Sequence, residues 1–438
     1  MAHPATHSAS DKATEASPRA SQSRVVGIAS MLGTTIEWYD FFVYGTAAAL
    51  VFNRIFFPAI DPLTGTLAAF ATYAVGFFAR PLGGVIFGHF GDRLGRKSML
   101  LVTLLMMGVP TIAIGLIPDY NAIGYWAAVC LVAMRVVQGI AVGGEWGGAV
   151  LMAIEHAPHG KRGFFGSLPQ TGVAPGLILS SLAMAAVSKL PEQDMLSWGW
   201  RVPFLASVAL LIVGWFIRIK VTESPDFEAM KRSGNDVAMP LVAVVQEHLG
   251  AVLKVAGARM AEVTWFYTVV TFALSYGTTT LGLSKSTMLD GVMYGAAVAF
   301  LAMPLTGILG DHFGHRRVFA IGCVTVCLFG FPFFAMLRTG HPAIVYLAMV
   351  IAIGVIYSIL YATEGALFSA QFPAPVRYSS ISLAVQVSGA LGGGMAPILA
   401  TWLLKVANGS PSLIALYLAF LGVVGITSTY LMRETSPS

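Results

Sequence analysis

Apolar runs long enough to cross a bilayer recur along nearly the whole chain, broken by short stretches rich in glycine, proline or charge. A helix needs about 20 apolar residues to span the hydrocarbon. Runs of that order fall near residues 25–51, 63–88, 99–117, 123–154, 164–187 and 203–219, and again near 252–279, 289–309, 318–337, 343–369, 380–404 and 412–432. The longest polar stretch, Lys220 to about Gly250, separates the two sets. The pattern predicts an all-α polytopic membrane protein of twelve transmembrane helices. These form two six-helix bundles, 24–219 and 251–433, joined by a cytoplasmic linker at 220–250. Residues 1–23, rich in Ala, Ser, Thr and Pro, are expected to be a disordered cytoplasmic tail, and 434–438 a second short tail. The first apolar run carries Glu37 and Asp40 and is longer than a signal-peptide core, so it is expected to stay in the mature protein.

Composition sharpens this. The 438 residues are 56% hydrophobic and 11% charged, where a soluble domain carries about 25% charge. Only lipid can cover such an apolar surface. The net charge of +5 comes from short basic clusters between apolar runs, which argues against nucleic-acid binding and for membrane topology. With the N-terminus in the cytoplasm, about 17 of the 26 basic residues fall on the cytoplasmic side, so both termini are expected there. Cys130, Cys323 and Cys327 lie inside apolar runs with no CxxC or metal spacing, and read as small packing residues. No HExxH, nucleophile elbow or P-loop occurs. No metal or cofactor is expected, and an enzyme or receptor is disfavoured.

The two halves repeat one another. GHFGDRLGRK (88–97) stands between the second and third runs, GILGDHFGHRR (307–317) between the eighth and ninth, and Asp92 and Asp311 lie half the chain length apart. Pro158 precedes Arg162 as Pro373 precedes Arg377. The run after the sixth helix, around Glu223, reads like that after the twelfth, around Glu434. Such duplication is a signature of secondary transporters with a solute site between the halves.

The loop G-x-x-x-D-R-x-G-R-K resembles the most specific local signature of the major facilitator superfamily. Within it, IEWYDFFVYGTAAALVFN, FFARPLGGVIFGHFGDRLGRK and RVVQGIAVGGEWGGA resemble the metabolite:proton symporter family, nearest to its shikimate carriers. The resemblance runs from about residue 25 to the C-terminus. It implies a monomeric, proton-driven importer of a small organic anion in the bacterial inner membrane, working by alternating access. An exporter or a proline/betaine-like zwitterion carrier is the alternative. The fifth helix lacks the GPxxGG-like pattern of drug antiporters, reading Gly172-Val-Ala-Pro175-Gly176.

Ionisable groups at bilayer depth are costly and usually functional. Glu37 and Asp40, spaced i,i+3, share one helical face with Tyr44. Two carboxylates so close in a dry site do not both ionise easily, so they are candidates to carry the proton. No histidine sits mid-span to do it instead. Arg135, Gln138, Val142 and Glu145 form a stripe on the fourth helix. Arg135 is the expected counter-ion of Glu37 or Asp40, as the resemblance also implies. A purely structural pair is the plainer reading. Glu145 stands among glycines that permit close helix packing. Arg80 and Arg259 are candidates to meet a substrate carboxylate, although Glu262 could simply neutralise Arg259. Tyr39, Tyr44, Glu145, Gln170 and Gln386 complete the expected pocket.

At the cytoplasmic gate, Gly88 and Gly95 permit a tight reversal, and Asp92 can face a helix N-terminus. Arg93 and Arg96 can pair with Glu155 and Glu223, and the resemblance implies that this network closes the gate; Arg162, Asp311, Arg316 and Arg377 are its remaining members. In the second half His312 and His315 replace the two arginines, and Ala370 stands for Glu155. The second-half network is therefore expected to be the weak one.

Overall fold

The computed structural model describes residues 9–94, 96–155, 157–158, 160–220, 244, 246–373 and 376–433, with side chains left out at 9–29, 88–100, 148, 152, 155, 217–218 and 220. The apolar runs form twelve helices, and the described residues contain no strand. The first half comprises α1 (Ala9–Leu50), α2 (Pro62–Leu94), α3 (Arg96–Leu116), α4 (Trp126–Gly143, continued by Trp146–Glu155), α5 (Arg162–Thr171, continued by Val173–Ser188) and α6 (Arg201–Lys220). The second comprises α7 (Leu249–Tyr267, with wide turns to Thr280), α8 (Lys285–Phe313), α9 (His315–Arg338), α10 (Pro342–Met349 through Ser358–Ser369), α11 (Arg377–Ser388 through Ala396–Val406) and α12 (Ser412–Tyr430). Among the described residues, eight helices are long and apolar enough on their own to cross a membrane.

One expectation changes at the start of the chain. Helix α1 begins at Ala9, so residues 9–23, expected to be irregular, are helical. Ala, Glu, Lys, Gln and Arg in this stretch are good helix formers and extend the apolar helix backwards.

Within each half, helices approach through small residues. A Cβ on Gly139 would lie 2.0 Å from the Gly76 carbonyl oxygen, and one on Gly143 2.0 Å from that of Arg80. Only glycine allows α4 to lie backbone to backbone against α2, as expected for Gly143. Between the halves, α5 packs on α8 and α2 on α11. These two seams exchange under the sequence repeat, since α2 corresponds to α8 and α5 to α11. A cavity is left between them.

Wide π-type turns interrupt α7 (Thr268–Phe272), α10 (Val350–Tyr357) and α11 (Gly389–Gly394). Such bulges gather where a helix is bent around a site, and Tyr357 and Gly389, at their ends, face the central cavity.

Candidate functional site

The central cavity lies between the halves. The first half contributes Glu37, Trp38, Phe41, Arg80 and Trp146, and the second contributes Arg259, Glu262, Tyr267, Tyr357, Tyr361 and Gln386, among others. Its wall is mainly aromatic. Phe41 meets Tyr267 with ring centroids 5.8 Å apart, and Trp38 meets Phe266 at 6.3 Å, so rings from both halves interlock. Against this wall Arg80 lays its guanidinium over Phe77 at 4.0 Å and Phe41 at 4.8 Å. No carboxylate among the described residues forms an ion pair with it, and its Nε has no hydrogen-bond partner. Ring faces hold the cation in place, and Tyr267 stands within hydrogen-bonding reach of it.

Arg259 is placed differently. Its Nε lies 3.6 Å from Glu262 and 3.8 Å from Glu364, and its guanidinium carbon 5.1 Å from the Trp146 ring centre. The expected neutralisation by Glu262 is therefore present, with a second carboxylate beside it. Of the two candidate anion-binding arginines, only Arg259 has an ion pair among the described residues, while Arg80 lines the cavity with Glu37.

Gln386 reaches from α11 to the Gly143 carbonyl at 3.0 Å, and the Tyr378 hydroxyl donates to that of Gly144 at 2.8 Å. Helix α4 breaks at this point, freeing carbonyls that α11 then caps. Gln386 faces the cavity as expected, but its amide is already engaged across the seam.

The remaining expected pocket residues lie elsewhere. Tyr39 donates to the Pro203 carbonyl at 2.8 Å and braces α1 on α6. Tyr44 bonds Thr72 at 2.6 Å. Gln170 donates to the Tyr361 carbonyl, tying α5 to α10. Glu145 lines a separate small cavity with Glu37 and Asp40. Tyr39, Tyr44 and Gln170 each satisfy a local backbone or side-chain need, a demand that spacing along the sequence does not reveal.

The expected pair of Arg135 with the first helix is indirect. Arg135 Nη1 donates to Gln138 Oε1 at 2.6 Å, and Gln138 Nε2 donates to Thr111 Oγ1 at 2.7 Å. Thr111 stands beside Asp40, whose Oδ1 accepts from Ser207 at 2.7 Å. The Arg135 guanidinium lies 3.5 Å from the centre of the Tyr44 ring. Gln138 and Thr111 thus stand between the acid and the base, because Tyr44 holds the arginine along α4.

On the face where α8 ends and α9 begins, Asp311 crosses the seam. Its two oxygens accept the backbone N–H groups of Gly163 at 2.7 Å and Phe164 at 3.0 Å, in the first turn of α5. His315 Nε2 lies 3.4 Å from the same carboxylate. The second-half loop, expected to be the weak one, makes this cross-seam contact without an arginine, because the free amides of a helix start supply the positive end. Arg316 instead binds the Tyr430 carbonyl at 2.9 Å, Arg377 binds that of Phe372 at 3.2 Å, and Arg162 is exposed. Among the described residues, none of the three forms an ion pair across the seam. The side chains of Gly88, Asp92, Arg93, Gly95, Arg96, Glu155 and Glu223 lie outside the described residues.

Glu364 is the functional candidate that reading the sequence missed. It sits in an apolar run, Tyr361-Ala-Thr-Glu-Gly-Ala, and is 0% exposed. The rule that singled out Glu37 and Glu262 applies to it equally.

The pattern of the Sugar (and other) transporter family matches residues 25–248. The shikimate transporter of Escherichia coli is 39% identical over 418 residues, 95% of each chain. An inner membrane metabolite transport protein of the same organism is 37% identical over 437 residues, 98% of each. The crystal structure of a D-xylose-proton symporter aligns with a TM-score of 0.70, at 17% identity over 94% of this chain and 99% of that one, which speaks for the fold. The protein is therefore a multi-pass membrane transporter rather than an enzyme, and it belongs to the sugar (and other) transporter family of the major facilitator superfamily.

Proposed function

We propose that this transporter is a proton-driven symporter that imports a small organic acid across the bacterial cytoplasmic membrane by alternating access, with both termini in the cytoplasm. The observation that carries the reading is Arg80: a cation held by aromatic faces at the cavity wall, with no carboxylate partner among the described residues. A planar guanidinium whose Nε has no partner fits a carboxylate, and the surrounding rings suit a ring-bearing or short carbon skeleton. The 39% identity to a shikimate transporter makes shikimate the first solute to try.

A zwitterion is the second reading, because Glu262 also faces the cavity and could receive a cationic group. Uptake into proteoliposomes under an imposed pH gradient, with labelled shikimate, α-ketoglutarate, citrate, proline and betaine, separates the two. Accumulation of an acid that an uncoupler abolishes is the expected result. Uptake indifferent to the uncoupler would sink symport, and accumulation of betaine alone would sink the anion reading.

A further inference from the structure

We propose that Glu262 and Glu364 hold the transported proton between them, as a carboxyl–carboxylate pair balanced by Arg259. The inference rests on the symport reading and names its proton site.

Three charged side chains meet here with almost no solvent. Arg259, Glu262 and Glu364 are 6%, 2% and 0% exposed. One guanidinium faces two carboxylates at 3.6 and 3.8 Å, and the two carboxyl groups stand within hydrogen-bonding reach of each other. With both acids ionised the cluster would bury one uncompensated negative charge, and two acceptor oxygens would oppose each other with no hydrogen between them. Isolated buried charge is among the most costly arrangements in a protein, and the group neutralises instead. One bound proton resolves both problems: it neutralises the cluster and supplies the hydrogen that the two carboxyl groups share.

The other titratable or charged groups around the cluster do not replace it. Tyr357 and Tyr361 approach from α10, Tyr267 from α7 and Cys323 from α9. Phenols and thiols ordinarily titrate above the neutral range. Across the cavity stand Arg80 and Glu37. Asp40 is held by Ser207 on the far side of α1 and does not line the central cavity.

The same geometry couples the proton to the solute. Arg80 and Glu262 line one cavity, and Tyr267 stands beside both. Without the proton, Glu37, Glu262 and Glu364 outnumber Arg80 and Arg259 around the cavity, and the excess negative charge disfavours an anion. With it, that excess is removed and an anion at Arg80 is favoured. Binding of proton and of anion then reinforce each other, as linkage requires.

The test uses the full-length transporter in lipid nanodiscs and proteoliposomes. Infrared titration of the wild type should show a protonated-carboxyl band that both E262Q and E364Q remove. A band that survives both, or that E37Q or D40N removes instead, overturns the proposal. For transport the probe is labelled shikimate. Wild-type affinity should fall about tenfold per pH unit on the alkaline side, while the neutral E364Q loses this dependence. E364Q should also lose uncoupler-sensitive accumulation at least tenfold, with a smaller loss in solute exchange. Should E364Q fail to fold, E262Q carries the same expectations. Concentrative, uncoupler-sensitive uptake by both variants overturns the proton site alone. Uncoupler-insensitive uptake by the wild type overturns the symport reading beneath it.

Discussion

Asp311 at the end of α8 accepts the backbone N–H of Gly163, at the start of α5, at 2.7 Å, and so ties one half of the transporter to the other. The second oxygen takes the next amide, from Phe164. Hydrogen bonds to a charged group contribute about 1.5–3 kcal/mol each. Asp311→Ala should therefore weaken closure of this face by about 2 kcal/mol, a shift of roughly 30-fold toward the form open there. His315→Ala should act in the same direction, because the ring buttresses the carboxylate at 3.4 Å. Spin-label distances across the α5–α8 seam measure this. An unchanged distribution in Asp311→Ala would remove Asp311 from the gate.

Beside this contact the two backbones touch. A Cβ on Gly163 would lie 2.4 Å from the Gly307 carbonyl oxygen, and one on Gly307 2.7 Å from that of Gly163. Backbone cannot yield as a flexible side chain can, so Gly163→Ala and Gly307→Ala should each pry the seam open. Because all these changes act on one contact, Gly307→Ala combined with Asp311→Ala should fall short of the sum of the single effects. Cysteine accessibility on this face is the readout, and full additivity would mean that the two act separately.

The helices, the duplication and the intramembrane charges were legible in the sequence because each is a local signal: a run of apolar residues, a repeated loop, a charge out of place. Partnership was not. Glu364 and Arg259 lie more than a hundred positions apart, and only the packing of α7 on α10 brings them together. Arg135 and Asp40 looked like a pair on depth alone, yet Gln138 and Thr111 occupy the space between them. The loss of arginines in the 307–317 loop suggested a weak gate, because side-chain partners can be counted along a sequence. The amides of Gly163 and Phe164 that serve Asp311 cannot be, since every residue but proline has one.

Arg80 supplies the sharpest test of the substrate site. Its charge-assisted bonds to a carboxylate would contribute about 1.5–3 kcal/mol, so Arg80→Ala should weaken affinity for an organic acid by roughly 10- to 150-fold. Arg80→Lys should recover only part of this, because an ammonium neither forks around a carboxylate nor stacks as well on Phe77. Binding is best followed by intrinsic fluorescence, since Trp38 and Trp146 line the same cavity. An Arg80→Ala protein that binds the acid as tightly as the wild type would place the anion elsewhere.

Arg135 gives a prediction of stability rather than of binding. It is 1% exposed, lies 3.5 Å over the Tyr44 ring, and has Gln138 as its hydrogen-bonding side chain. A hydrogen bond to a charged group contributes about 1.5–3 kcal/mol and Gln138 also bonds Thr111, so Gln138→Leu, which loses both, should be strongly destabilising although Gln138 does not line the cavity. Tyr44→Leu keeps much of the volume and removes the π face. It should cost about 2 kcal/mol for the desolvated cation–π contact, plus the lost bond to Thr72. Tyr44→Phe keeps the ring and loses only the hydroxyl's contacts with Thr72 and Arg135, about 1 kcal/mol. Thermal unfolding of the three variants in detergent should rank them Gln138→Leu, Tyr44→Leu, Tyr44→Phe from least to most stable. Equal melting of Tyr44→Leu and Tyr44→Phe would mean that the ring face contributes nothing, leaving Gln138 to hold the arginine by itself.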